Sequence, residues 1–234
     1  MKLMEIKTDY TAIFKTRPNR YIAEVDIPEL NLENEIIHVH DPGRLKELLY
    51  PGNKVRIKKA TNPKRKTKWD LIAAEKNNEE IMVNSAYHRN ISYFILNNEN
   101  INPLGKMKNI KAEVKYNKSR IDYLVEKAKN KKIWIEIKGC TLTEDGIAKF
   151  PDAPTLRGRK HLEELMQIIE EGGNAAIYLL VFGKSECFKP NMETDTKFAE
   201  TFYRAMKAGV EIYPIQLSYN KGIISYEGIL PICE

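Results

Sequence analysis

Asp122, Glu136 and Lys138 are the residues of this chain whose types and spacing suit chemistry. They lie in RIDYLV (120–125) and WIEIKG (134–139), two apolar runs separated by the polar stretch EKAKNKK. Both runs alternate as strands do, and the gap reads as a hairpin loop. Side chains two apart on a strand share a face. Trp134, Glu136 and Lys138 therefore point one way, and Ile133, Ile135 and Ile137 the other. A loop centred on Ala128–Asn130 makes the numbers of facing partners sum to about 258, which sets Asp122 opposite Glu136.

Two carboxylates about 5 Å apart repel by roughly 3 kcal/mol at an effective dielectric of about 20. One lysine relieves that only in part. A divalent cation relieves it well, and magnesium takes one or two carboxylates plus water and phosphate oxygens. Lys138 would stand beside the ion and orient or deprotonate a water, the layout of metal-assisted phosphodiester hydrolysis. The bland alternative is a solvated hairpin face with surface ion pairs of little weight.

Other residues extend the site, each with a plainer alternative. Glu113, on the preceding strand, is a third carboxylate or a surface charge between Lys111 and Lys115. Arg120 suits a forked contact to phosphate or a salt bridge. Arg157, Arg159, Lys160 and His161 lie on the first turns of a helix after FPDAPT, where amide groups attract phosphate. Arg157, His161 and Glu164 read as a polar face opposite Leu162, Leu165, Met166 and Ile169. His38 and His40 share a strand face but have no further metal ligand evident. Cys140 reads as a small buried residue.

The chain has 234 residues, a net charge of +6 and a pI of about 9.0. Between Lys54 and Lys68 there are eight Lys/Arg and no acid. Lys54, Arg56 and Lys58 alternate with Val55 and Ile57, Lys64, Arg65, Lys66 and Lys68 follow, and Trp69 comes next. Such a stretch suits phosphate contact with base stacking, or else a charged edge strand that blocks aggregation. The longest apolar run, 175–182, is far too short for a membrane span. Three scattered cysteines exclude a disulfide framework and a cysteine-rich zinc site. The expected location is cytoplasmic.

Residues 1 to 83 read as strands at Thr11–Phe14, Tyr21–Asp26, Glu35–His40, Lys54–Lys59, Trp69–Ala74 and Ile81–Val83, with a short helix at Arg44–Leu49. That pattern suggests a small β-barrel of OB type. Residues 84 to 234 alternate helices and strands, an α/β (α+β) pattern. Helices are expected at Ala86–Asn97, after KFPDAPT up to Gly172-Gly173, and at Lys197–Lys207. Strands are expected near Ala112–Tyr116, Ile121–Val125, Ile133–Lys138, Ala175–Phe182, Val210–Leu217 and Gly222–Glu227.

The words PNRY (18–21), HVHDPGRLKELLYPG (38–52), RKTKWDL (65–71), SRIDYLVE (119–126), IEIKGCTL (135–142) and FPDAPTLRGRKHLEEL (150–165) resemble the sugar fermentation stimulation protein family, SfsA. The resemblance implies an N-terminal OB-type domain joined to a PD-(D/E)XK nuclease-like domain, and DNA binding. It places Asp122, Glu136 and Lys138 on the nuclease core positions. The expected function is a DNA-binding protein with a phosphodiesterase site using Mg2+ or Mn2+ held by Asp122, Glu136, the Ile137 carbonyl and Glu113. The alternative is a non-catalytic DNA-binding regulator of sugar metabolism. RNA remains an open partner, and no membrane is expected.

Overall fold

The structure is a computed structural model describing residues 1–234. The chain forms two compact units. One holds Met1–Tyr87 with Leu217–Ser225, and the other His88–Gln216 with Tyr226–Glu234. A late segment, Leu217–Ser225, thus returns to the first unit.

The first unit contains β1 (Lys2–Glu5), β2 (Tyr10–Asn19), β3 (Ile22–Ile27), β4 (Leu32–His38), β5 (Lys54–Lys59), β6 (Trp69–Lys76) and β7 (Glu79–Met82). Five of them run in the order β4-β3-β2-β5-β6. A parallel contact of β4 with β6, Ile37 to Trp69 and His38 to Asp70, closes the barrel. Alternation drives the closure. Val25, Ile27, Val55 and Ile57 are fully buried, while Lys54 and Lys59 face out. Closure also removes the exposed edges that an open sheet would leave.

The helix expected at Arg44–Leu49 is replaced by turns. Leu45 has φ 50°, a left-handed conformation that no right-handed helix accommodates. Its side chain is buried, as is Leu48. Arg17 donates to the carbonyls of Gly43 and Arg44 at 2.6 and 2.9 Å, and to that of Asp41 at 2.7 Å. Two of those carbonyls would otherwise begin the helical hydrogen-bond series.

The second unit opens with α1 (His88–Leu96) and the antiparallel strands β8 (Asn109–Tyr116), β9 (Ser119–Glu126) and β10 (Lys132–Cys140). Next come β11 (Thr143–Glu144), β12 (Ile147–Phe150), α2 (Leu156–Glu170), β13 (Ala175–Val181), β14 (Cys187–Pro190) and α3 (Thr196–Ala208). The last strands are β15 (Glu211–Asn220) and β16 (Ile223–Ile229), whose residues 217–225 belong to the first unit. In this unit the strands order as β15-β13-β10-β9-β8, with β15, β13 and β10 parallel. Every residue of β13 is buried, as a central parallel strand requires.

Both long helices carry caps written in the sequence. The Thr155 hydroxyl accepts the Gly158 N–H at 3.0 Å, and Asp195 accepts the Phe198 N–H at 2.9 Å. The second oxygen of Asp195 accepts the Thr155 N–H at 2.8 Å, so the two helix starts are tied together. Leu162, Leu165 and Ile168 of α2 and Phe198, Phe202 and Ala205 of α3 share a core with Ile177, Leu179 and Val181 of β13. The small sheet β11-β12-β14 was not foreseen. A further correction concerns cysteine: Cys187 and Cys233 form a disulfide, and only Cys140 is free.

Candidate metal centre

β9 and β10 pair as Lys132–Glu126, Ile133–Val125, Trp134–Leu124 and Ile135–Tyr123. Each pair sums to 258, the register expected from the loop, and a short 3-10 turn stands at Ala128–Asn130. Backbone pairing stops there. The next amide of β10 on that side, Ile137 N–H, donates to Asp122 Oδ2 at 2.7 Å. The aspartate side chain has taken over a ladder position, which fixes its carboxylate between the strands.

Glu136 is 2% exposed. Its Oε1 accepts from both Lys138 Nζ and His161 Nδ1 of α2. Its Oε2 is buried with no hydrogen-bond partner. A buried carboxylate oxygen without a partner is costly, on the order of 1–3 kcal/mol. It is therefore the atom of this site most in want of a ligand.

The electrostatics follow the crowding. Burial and then the neighbouring Glu136 push the Asp122 carboxyl up to about 6, against the Ile137 amide and Lys138. At Glu136 burial also pushes upward, but Lys138 and His161 outweigh it and hold the group below its ordinary value. The ring of His88 packs beneath the end of β10, stacked on Phe182 with centroids 5.4 Å apart. Burial of that ring, with Lys138 nearby, pushes it down to about 4.

The other expected residues distribute unevenly. Glu113 has φ 55° and interrupts the β8–β9 ladder; its side chain, 47% exposed, lies 3.9 Å from Arg89. Arg120 is exposed at the start of β9. Arg157 and Lys160 are exposed on α2, and Arg159 is half-buried. His161 and Glu164, expected on a polar helix face, are buried instead. The reason is that Glu136 offers His161 a charged acceptor inside the fold.

In the barrel, Arg56 is held by Glu80 at 2.6 Å and by the Thr11 hydroxyl. Arg65 forks onto both oxygens of Asp70 at 2.7 and 3.0 Å, and His40 Nε2 donates to Oδ1 of the same carboxylate at 3.0 Å. Lys54, Lys64, Lys66 and Lys68 are exposed and Lys58 is half-buried. Trp69 is 6% exposed and packs edge-on to Tyr10, so no base stacks on it in this conformation. The exposed aromatics of this unit are Tyr21, at 51%, and Tyr50, at 48%; the first was passed over in the sequence. PNRY carried it, but nothing in its spacing sets it apart from a core tyrosine.

The donor set at 122 and 136 fits a hard, oxygen-seeking cation. No cluster of three or more His, Cys, Asp or Glu side chains that would hold a metal forms anywhere in the chain. No helix is long and apolar enough to cross a membrane.

A closed five-stranded barrel followed by an α/β unit defines an OB-type domain joined to an α/β domain. The chain belongs to the sugar fermentation stimulation protein family. Residues 86–222 match the sugar fermentation stimulation protein RE domain, and residues 16–83 match the SfsA N-terminal OB domain. A sugar fermentation stimulation protein homolog of Methanococcoides burtonii is 41% identical over 235 residues, which is 99% of this chain and 95% of that one. A homolog from Thermosipho melanesiensis is 45% identical over 227 residues, covering 97% and 96%. The structure of Pyrococcus furiosus SfsA in complex with Ca2+ superposes with a TM-score of 0.90 at 31% identity, over all of both chains.

Proposed function

We propose that this protein is a DNA-binding phosphodiesterase dependent on Mg2+ or Mn2+, with Asp122 and Glu136 as metal ligands and Lys138 as the lysine of the reaction. The observation that carries the reading is the unpartnered, buried Oε2 of Glu136 beside the Asp122 carboxylate, which the Ile137 amide fixes in place. The calcium complex of the Pyrococcus furiosus relative supports a cation in this family. Calcium and magnesium both take carboxylate oxygens. The chemistry a bound cation supplies is polarisation of the phosphodiester and activation of water.

The chain's own residues do the rest. Asp122 and Glu136 hold position without waiting for substrate, because an amide fixes one and Lys138 with His161 fix the other. Lys138, with its side chain 17% exposed, is placed to orient the attacking water and to offset charge developing on the phosphate. Arg120 and Arg157 are exposed arginines suited to backbone phosphates. The exposed lysines of 54–68 grip a polyanion in the same sequence-independent way.

The test is cleavage of plasmid, linear duplex and single-stranded DNA with Mg2+, Mn2+ or chelator. Metal-dependent product that Asp122→Asn abolishes supports the reading. Binding without product, with every metal, overturns it in favour of a DNA-binding protein on a nuclease-like scaffold.

A further inference from the structure

Arg157, His161 and Glu136 form a hydrogen-bonded line from the protein surface to the candidate metal centre. Arg157 Nε donates to His161 Nε2 at 3.4 Å, and His161 Nδ1 meets Glu136 Oε1. Arginine only donates. His161 Nε2 therefore acts as the acceptor, which puts the ring proton on Nδ1. The carboxylate then accepts that proton's hydrogen bond. Lys138 Nζ also lies 3.3 Å from Nδ1, but it too is only a donor and directs its proton to Glu136 Oε1.

Both donors thus converge on one oxygen of Glu136 and leave the other, Oε2, buried and unpartnered. A carboxylate held this way cannot rotate without breaking two hydrogen bonds at once. Helix position explains the line: residues four apart on α2 lie one above the other, so Arg157 sits one turn outward from His161.

Resting on the metal reading above, we propose that His161 is a positioning residue that presents Glu136 Oε2 to the cation, and that Arg157 sets the tautomer in which His161 does so. The role differs from a substrate contact. His161 is 6% exposed and its two ring nitrogens are already engaged, so it has no nitrogen left for a phosphate. Groups that orient a metal ligand from behind typically govern 10–100-fold in metal affinity.

The experiment uses the full chain. Mn2+ binding is followed by the electron paramagnetic resonance signal of the free ion, and the His161 tautomer by 15N chemical shifts of the imidazole. Wild type is expected to show a protonated Nδ1 and an unprotonated Nε2. His161→Phe is expected to bind Mn2+ about 10–100-fold more weakly. His161→Asn, whose amide nitrogen stands near the place of Nδ1, is expected to recover much of that affinity. A void left by misfolding would not be rescued in this way. Arg157→Ala changes an exposed side chain and is expected to let the Nε2-protonated tautomer appear. Wild-type binding matched by His161→Phe, or a tautomer unchanged by Arg157→Ala, would overturn the proposal alone. A wild type that binds no Mn2+ would overturn the metal reading and the proposal with it.

Discussion

The backbone of Gly139 lies flat against the imidazole of His88, so close that a Cβ on Gly139 would stand 2.2 Å from Cε1 and 2.9 Å from Nε2. This is why the strand of Glu136 and Lys138 carries a glycine one residue before its end. His88 begins α1 and stacks on Phe182, so the ring cannot retreat freely. Gly139→Ala is expected to destabilise the fold by about 1–3 kcal/mol, the usual cost of overpacking a filled site. Urea denaturation measures it. An unchanged midpoint would mean that the ring swings aside without cost.

His88 also gives the fold an acid sensitivity. Its folded value is about 4, below the ordinary 6.5, because burial and Lys138 disfavour the charged ring. Between those values the unfolded chain binds the proton and the folded chain does not, so stability falls as pH drops from about 6.5 to 4. His88→Phe is expected to remove that part of the pH dependence. An equal slope in both proteins would contradict the assignment.

Asp122 contributes with the opposite sign. Its folded value of about 6 lies above the ordinary 3.8, so the folded chain holds the proton longer. In chelator, stability is expected to fall as pH rises from about 4 to 6, and the cost persists above 6. Asp122→Asn is then expected to stabilise the metal-free protein at pH 7.5 by about 1–3 kcal/mol, with the gain fading by about pH 4. A destabilised Asp122→Asn variant at neutral pH would contradict the crowding described here.

The register of β9 on β10 was legible in the sequence because strand alternation and loop length together fix it. The pairs from Lys132–Glu126 to Ile135–Tyr123 follow from EKAKNKK alone. What the sequence did not disclose are contacts between elements distant in the chain. His161 read as a phosphate contact at a helix start because its acceptor, Glu136, lies 25 residues away on another element. Glu164 misled for a related reason, since a charged residue at helical spacing reads as surface until the helix is packed. The Arg44–Leu49 helix failed because a distant side chain, Arg17, takes its first carbonyls. Trp69 was read as a stacking platform from its basic neighbours, whereas barrel closure buries it.

The cysteines escaped for the same reason, being 46 residues apart. Closing a loop of that length stabilises by up to about 4 kcal/mol in the chain-entropy account. Under denaturing, non-reducing conditions only the Cys140 thiol is expected to react with a thiol reagent. A reductant is expected to lower the unfolding midpoint. Three reactive thiols without reductant would exclude the bridge.

The most direct test of the central claim is cleavage of supercoiled plasmid by purified protein with Mg2+, Mn2+ or chelator, beside Asp122→Asn and Lys138→Ala. The account requires nicked or linear product that depends on metal and disappears in both variants. Wild-type binding of the plasmid with no product in either metal, or full activity in Asp122→Asn, would contradict it.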